Sequence, residues 1–345
     1  MDALQRIWFR FWDSITGFIG GSTWIKAIFA LLGVYLLVSV VLGVYWSNEP
    51  DEFNVYEYSL SEAGTAPVVG AGTVGALVHI TSTLLDKPGG YISNDRTPPG
   101  IWLDNIKRWE FGVLVQARDL SRALRRDFSR SQSQSTEDPD LAEAEPLLSF
   151  NNNSWFFPPT EREYRKSLKL TENYFTRLKD PAQKDAQFYA RADNLNAWLG
   201  DVSTRLGSLS QRLSASVGQK RLNTDLAGDN VAEQSTPVES EQEIKTSWFK
   251  IDDVFYEARG TAWALIHILK GIEQDFGPTL DKKNARVSLR QIIRELEATQ
   301  NTIWSPIILN GTEFGFLANH SLVMASYISR ANAAIIDLRE LLAQG

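Results

Sequence analysis

Residues 27–46 read AIFALLGVYLLVSVVLGVYW, Ala27 to Trp46, and no charged side chain occurs between Lys26 and Glu49. An α-helix rises about 1.5 Å per residue, so about 20 such residues cover the roughly 30 Å hydrocarbon core of a bilayer. A cleaved signal peptide has a shorter apolar core and small residues at its cut site. This stretch instead ends in Val44, Tyr45 and Trp46, and a buried core helix seldom carries so long an uncharged run. The reading is a transmembrane helix over 23–46.

The flanks orient it. Arg6, Arg10 and Lys26 precede the span, whereas Glu49, Asp51 and Glu52 follow it. Basic residues are retained on the cytoplasmic side, which predicts a cytoplasmic N-terminus and residues 47–345 outside. Trp24, Tyr45 and Trp46 suit the two headgroup regions. Ser39 and Gly43 form a small-xxx-small pair that lets another helix approach closely, although small residues are common in membrane helices anyway. Upstream, Leu4, Ile7, Trp8, Phe11, Trp12, Ile15, Phe18 and Ile19 recur at steps of three or four or as adjacent pairs, so they share one helical face. Residues 1–22 are therefore expected to form an amphipathic helix on the inner leaflet, with the lipid bilayer as partner.

Composition narrows the chemistry. The chain of 345 residues contains no cysteine, which excludes disulfides, thiolate nucleophiles and cysteine-based zinc sites. Beyond residue 46 it carries 32 basic and 40 acidic residues. That balance argues against a nucleic-acid ligand, which needs a basic footprint.

Outside the span the periodicity is helical, and the predicted fold class is all-α: an antiparallel helical bundle behind a single N-terminal transmembrane helix. Candidate helices cover 73–86, 108–129, 160–179, 183–216, 248–275, 284–300 and 314–342. Residues 47–72 are expected to tether the bundle above the membrane. A first helical unit spans 73–217 and a second, packing on it, spans 248–345. Residues 218–247 are almost devoid of apolar side chains and are expected to be a disordered or mobile linker. The polar run Ser129–Ser135 is expected to be loose as well.

Phe188, Ala192, Leu195, Leu199, Val202, Leu206, Leu209 and Leu213 form an a/d seam, and Tyr164, Leu168, Thr171, Phe175 and Leu178 keep the same steps. With Pro181 between them, the two stretches predict an antiparallel hairpin. Its flanking positions Gly200, Gly207 and Ser214 are small, favouring close packing within the chain; the seam also admits a second copy and hence a homo-oligomer. Thr73–Ile80 resembles Thr261–Ile268. Three further matches follow in the same order: Ile101-Trp102 with Ile303-Trp304, Glu110–Leu114 with Glu313–Leu317, and Ser121-Arg122-Ala123 with Ser329-Arg330-Ala331. They suggest an internal duplication.

Chemistry is sparse. His79, His267 and His320 lie in apolar helical stretches and read as buried structural residues; if the repeat holds, the first two face each other. No metal site, catalytic motif or cofactor signature emerges. A loop over 86–105 gathers Asp86, Tyr91, Asn94, Asp95, Trp102 and Asp104, the make-up of a glycan site or of a carboxylate pair, Asp95 with Asp104. Arg118, Arg122, Arg125 and Arg126 line one helical side as a candidate face for an anionic headgroup. Glu137, Asp138, Asp140, Glu143 and Glu145 follow closely and can neutralise it.

Several motifs carry a resemblance. These are Tyr45-Trp46-Ser47 with Glu49-Pro50, Thr83–Tyr91, Trp109-Glu110-Phe111-Gly112, and Ser131–Ser135 leading into Glu137-Asp138-Pro139. Across nearly its whole length the chain resembles a proteobacterial membrane-protein family catalogued as domain of unknown function 2333. The resemblance implies a Gram-negative inner membrane with residues 47–345 in the periplasm, and it transfers no catalytic residue. The expected function is a non-enzymatic scaffold or accessory subunit of a cell-envelope complex, with an envelope protein as partner. The rival is a membrane-anchored enzyme or binding protein acting on glycan or lipid through the 86–105 loop.

Overall fold

The computed structural model describes residues 23–57, 59, 68–131, 135–180, 182, 185–222, 241–305, 307–312 and 315–344. The amphipathic segment 1–22 lies outside these residues, as do Gln132–Gln134 of the serine-rich run.

The helices are α1 (Thr23–Trp46), α2 (Ala71–Asp86), α3 (Asp104–Ala123, continued by a π-turn over Leu124–Phe128), α4 (Pro139–Leu148), α5 (Thr160–Lys179), α6 (Ala192–Ser214), α7 (Ile251–Asp275), α8 (Gly277–Lys282), α9 (Arg286–Glu297) and α10 (His320–Ala343). α1 is long and apolar enough to cross a membrane. Its side chains from Ile28 to Val44 stand largely exposed. The rest is all-α apart from one short hairpin among the described residues.

α7 is the axis of the domain. Every residue from Ala258 to Leu269 is buried, because α2, α3 and α9 pack around it. Two glycine crossings make this possible. A Cβ on Gly260 would lie 2.0 Å from the Trp109 carbonyl oxygen of α3, and one on Gly271 would lie 2.5 Å from that of Gly72 on α2. Backbone therefore meets backbone at both points. One contiguous apolar core, from Val55 to Leu342, joins both predicted units. α2 starts without a side-chain cap of its own; Asp275 at the end of α7 supplies one, accepting from Thr73 N and Thr73 Oγ1, each at 2.6 Å.

The predicted hairpin does not form. α5 packs on α4 and α2, while the leucine seam of α6 packs on α10. The pairing is antiparallel: Asn196 meets Arg339 (3.0 Å), Gly207 faces Asn332, and Ser210 reaches the Ala325 carbonyl. The small residues do admit close packing, but of a different helix. Residues 185–191 are irregular instead of helical. Tyr189 N donates to Phe128 O at 2.7 Å, and Phe188 enters an aromatic cluster with Phe128 and Phe276. An a/d pattern says which face is apolar without saying which helix covers it.

Two further expectations change. The linker closes at its base as an antiparallel strand pair, β1 (Gln219–Leu222) with β2 (Glu241–Ile244); residues 223–240 lie outside the described set. In the proposed duplication, Thr73–Ile80 and Thr261–Ile268 do lie on adjacent helices. Ser121–Ala123 and Ser329–Ala331 are both helical, but Glu110–Leu114 is helical whereas Gly315–Leu317 is irregular, so the matches do not all share structure.

Candidate functional site

Within the segment expected to be a tether, residues 49–53 form a strap bound along α7. Arg259, Trp263, His267 and Lys270, at steps of four, four and three, share one helical face. Each holds the strap. The Arg259 guanidinium forks onto Glu49, with Nε at 2.8 Å and Nη2 at 2.6 Å from Oε2, and spends its other edge on the carbonyls of Thr299 and Asn301. Trp263 Nε1 donates to Asp51 O (3.2 Å), Lys270 pairs with Glu52 (3.2 Å), and Phe53 N donates to His267 Nε2 (3.0 Å).

The two histidines meet here, with the Phe53 ring between them. It stacks on His267 at 4.0 Å and tilts against His79 at 3.9 Å. His267 Nδ1 lies 2.7 Å from Trp263 O, and since Nε2 accepts, Nδ1 carries the proton. Burial pushes the His267 pKa down to about 3 and lowers that of His79 as well. These are neutral packing residues. No group of three potential metal ligands occurs among the described residues.

The 86–105 loop is ordered around Glu110, a fully buried carboxylate on α3. Glu110 pairs with buried Lys87 and accepts from Ile92 N and Ser93 N at 2.8 Å each. A loop that would otherwise bury bare amides thus spends them on one anion. The six candidate residues do not converge on a common point. Asp86 pairs with Arg165 (2.7 Å), and Tyr91 donates to Asn152 O (3.0 Å), its phenol pKa raised by burial. Asn94 donates to Ser154 O (2.9 Å) and Glu161 (2.7 Å). Asp95, whose pKa burial raises, sits against Gly100, where a Cβ would lie 2.0 Å from its Oδ2. Asp104 accepts from Asn105 N (3.0 Å), and Trp102 is half exposed. Asp86 is spent on Arg165, while Asp95 and Asp104 both act electrostatically on Lys107.

The arginine face is likewise spent internally. Arg118 closes the end of α4 by donating to Leu148 O (2.9 Å) and Phe150 O (2.6 Å). Arg122 pairs with Asp119 (3.1 Å), and Arg125 pairs with Glu137 (2.8 Å) and Glu145 (2.6 Å). Of the four, Arg126 is the one left exposed.

Within the chain, the close neighbour of Gly43 is the 86–105 loop. A Cβ on Gly43 would meet Pro99 at 3.5 Å and Leu103 at 3.7 Å, Trp46 covers Gly89, and Tyr35 Oη donates to Pro98 O at 2.9 Å. Ser39 is buried. α1 is thus held on two sides, by the strap and by the loop. Beside the Arg259 anchor, Phe255, Ile303, Trp304, Val323, Met324 and Tyr327 line a cleft of about 360 Å³.

Sequence reasoning did not single out Arg259, Phe53 or Asp275. One signal was available: Arg259 opens an apolar run on a helix too hydrophobic to carry a free cation, so it required an anion from elsewhere in the chain.

The family model described as "Uncharacterized protein conserved in bacteria (DUF2333)" matches residues 19–345, and the chain belongs to that family. No curated protein and no solved structure matches it.

Proposed function

We propose that this member of the bacterial family DUF2333 is a bitopic inner-membrane protein, with a cytoplasmic N-terminus and residues 47–345 in the periplasm. In this reading its helical domain serves a cell-envelope complex as a non-enzymatic scaffold or accessory subunit. The observation that carries the proposal is the strap. Four successive contacts from Glu49 to Phe53 bind the exit of α1 to the central helix, so anchor and domain move as one body. An enzyme that must reach substrate along the envelope gains from a long free tether. A rigid joint suits a part that presents one surface at a set height and angle. The basic residues before α1 and the acidic ones after it support the orientation.

The cleft beside Trp304 and Met324 offers an apolar surface with aromatic anchors, the kind that dominates protein interfaces. Photo-cross-linking the full-length protein in living cells, from Trp304 and Val323 in the cleft, tests it. A reproducible adduct with another envelope protein is the expected result. Adducts confined to lipid, glycan or the chain itself overturn the scaffold reading, and loss of function in a folded Asp95→Asn, Asp104→Asn variant would favour the enzyme.

A further inference from the structure

We propose that the loop Pro98–Leu103 enters the outer half of the bilayer beside α1, where Ile101 and Trp102 contact acyl chains. The proposal rests on α1 spanning the membrane.

Depth is the first argument. The 86–105 loop touches α1 from Trp46, at Gly89, back to Tyr35, at Pro98, a separation of about 16 Å along the helix at 1.5 Å per residue. The apolar stretch ends at Trp46 and is just long enough to fill the roughly 30 Å apolar layer. A group hydrogen-bonded to Tyr35 therefore lies well below the outer headgroups whenever α1 spans.

Backbone chemistry is the second. Hydrocarbon tolerates irregular backbone only where its polar groups are satisfied within the protein. Pro98 and Pro99 carry no N–H. The N–H groups of Ile101, Trp102 and Leu103 donate to Thr97, Pro99 and Gly100 oxygens at 2.9–3.2 Å, and the Pro98 carbonyl takes the Tyr35 hydroxyl. Three of the four backbone N–H groups in the segment are thus met by its own 3₁₀ turn over Gly100–Trp102 and the residues beside it.

The side chains are the third. No ionisable residue occurs from Thr97 to Leu103, while Asp95, Arg96 and Asp104 bracket the loop. Pro99 and Leu103 face α1, which leaves Ile101 (50% exposed) and Trp102 (51%) facing outward. In water these would be an unexplained apolar patch. The neighbouring loop, joined through Asn94 to Ser154 and Arg96 to Asn153, exposes Trp155, Phe156 and Phe157 and so extends the apolar surface with rings suited to the headgroup level.

The absence of native cysteine permits a direct test in the full chain. Single variants Ile101→Cys and Trp102→Cys carry an environment-sensitive fluorophore. Val38→Cys on α1 and exposed Lys282→Cys, near the opposite end of α2, serve as references. Each is placed in phosphatidylethanolamine–phosphatidylglycerol vesicles with and without spin-labelled acyl chains, and intact helicity is checked by circular dichroism. The expected result is quenching by spin-labelled lipid at 101 and 102, as at 38, with protection from aqueous iodide, and the reverse at 282. If 38 is quenched by lipid while 101 and 102 are quenched by iodide, the loop proposal falls and the span stands. If 38 itself escapes lipid quenching, the span fails and the loop proposal with it. Two loop positions guard against an effect of losing the Trp102 ring.

Discussion

Arg259 grips Glu49 with a forked ion pair, fastening the residue three places beyond the end of α1 to the buried axis of the domain. Both side chains are mostly buried, 8% and 17% exposed. Arg259→Ala would leave Glu49 and the carbonyls of Thr299 and Asn301 without their donor. Removing one partner of such a pair costs about 3–5 kcal/mol. Arg259→Lys should recover only part of that, since an ammonium cannot fork. Denaturant unfolding of the detergent-solubilised protein reads the loss, and protease cleavage within 47–57 should appear in the alanine variant.

The Lys87–Glu110 pair predicts a local effect as well as a global one. Glu110→Ala strands a buried ammonium and the amides of Ile92 and Ser93, again at about 3–5 kcal/mol. Hydrogen exchange at those two amides should accelerate far more than at α7. Uniform acceleration would mean that Glu110 supports the whole core and not the loop.

Gly260→Ala places a methyl 2.0 Å from the Trp109 carbonyl oxygen, so α3 and α7 must separate. Overpacking of this kind costs about 1–3 kcal/mol and more where backbone is the obstacle. Gly33→Ala on α1, with nothing within 4 Å, is the neutral control. Equal melting temperatures for the two variants would contradict the crossing.

Acid should act through two buried groups of opposite sign. His267 is neutral in the fold, its pKa pushed down to about 3 from the ordinary 6.5. The unfolded chain therefore binds the extra proton, and the stability tied to His267 is full above pH 6.5 and drains as pH falls toward 3. His79 acts in the same direction. Asp275 is pushed up to about 6 from 3.8 by burial, against the pull of its Thr73 and Gly72 donors. There the fold holds the extra proton, so its contribution grows as pH falls through 6 toward 3.8. His267→Gln should flatten the decline of melting temperature between pH 7.5 and 5, and Asp275→Asn should steepen it below pH 6. Parallel profiles would exclude both groups as the titrating ones.

Much of the secondary structure was legible. The predicted helix over 160–179 matches α5 residue for residue, and most others fall within a few residues of their observed limits. α4 was missed even though Asp138 and Pro139 form a helix start, with Asp138 accepting from Asp140 N at 3.0 Å. Its acids had been read only as neutralising partners for the arginines, a role that Glu137 and Glu145 do fill for Arg125. Residues 183–191 carry a helical pattern and yet are irregular where described, since packing Phe188 against Phe128 and Phe276 outweighs local preference.

By itself the sequence determined the apolar helix α1, the all-α class and the apolar face of each helix, because these depend on the character and spacing of neighbouring residues. Only the tertiary structure decided the partners. It sent the α6 seam to α10 and turned residues 49–53 from tether into strap. It also gave Glu110, Arg259 and Asp275 their counterparts 23, 210 and 202 residues away in the chain. A periodic pattern reports that a face must be covered or a charge must be met. Which distant segment does so depends on the packing of the whole core at once, and no local stretch contains that information.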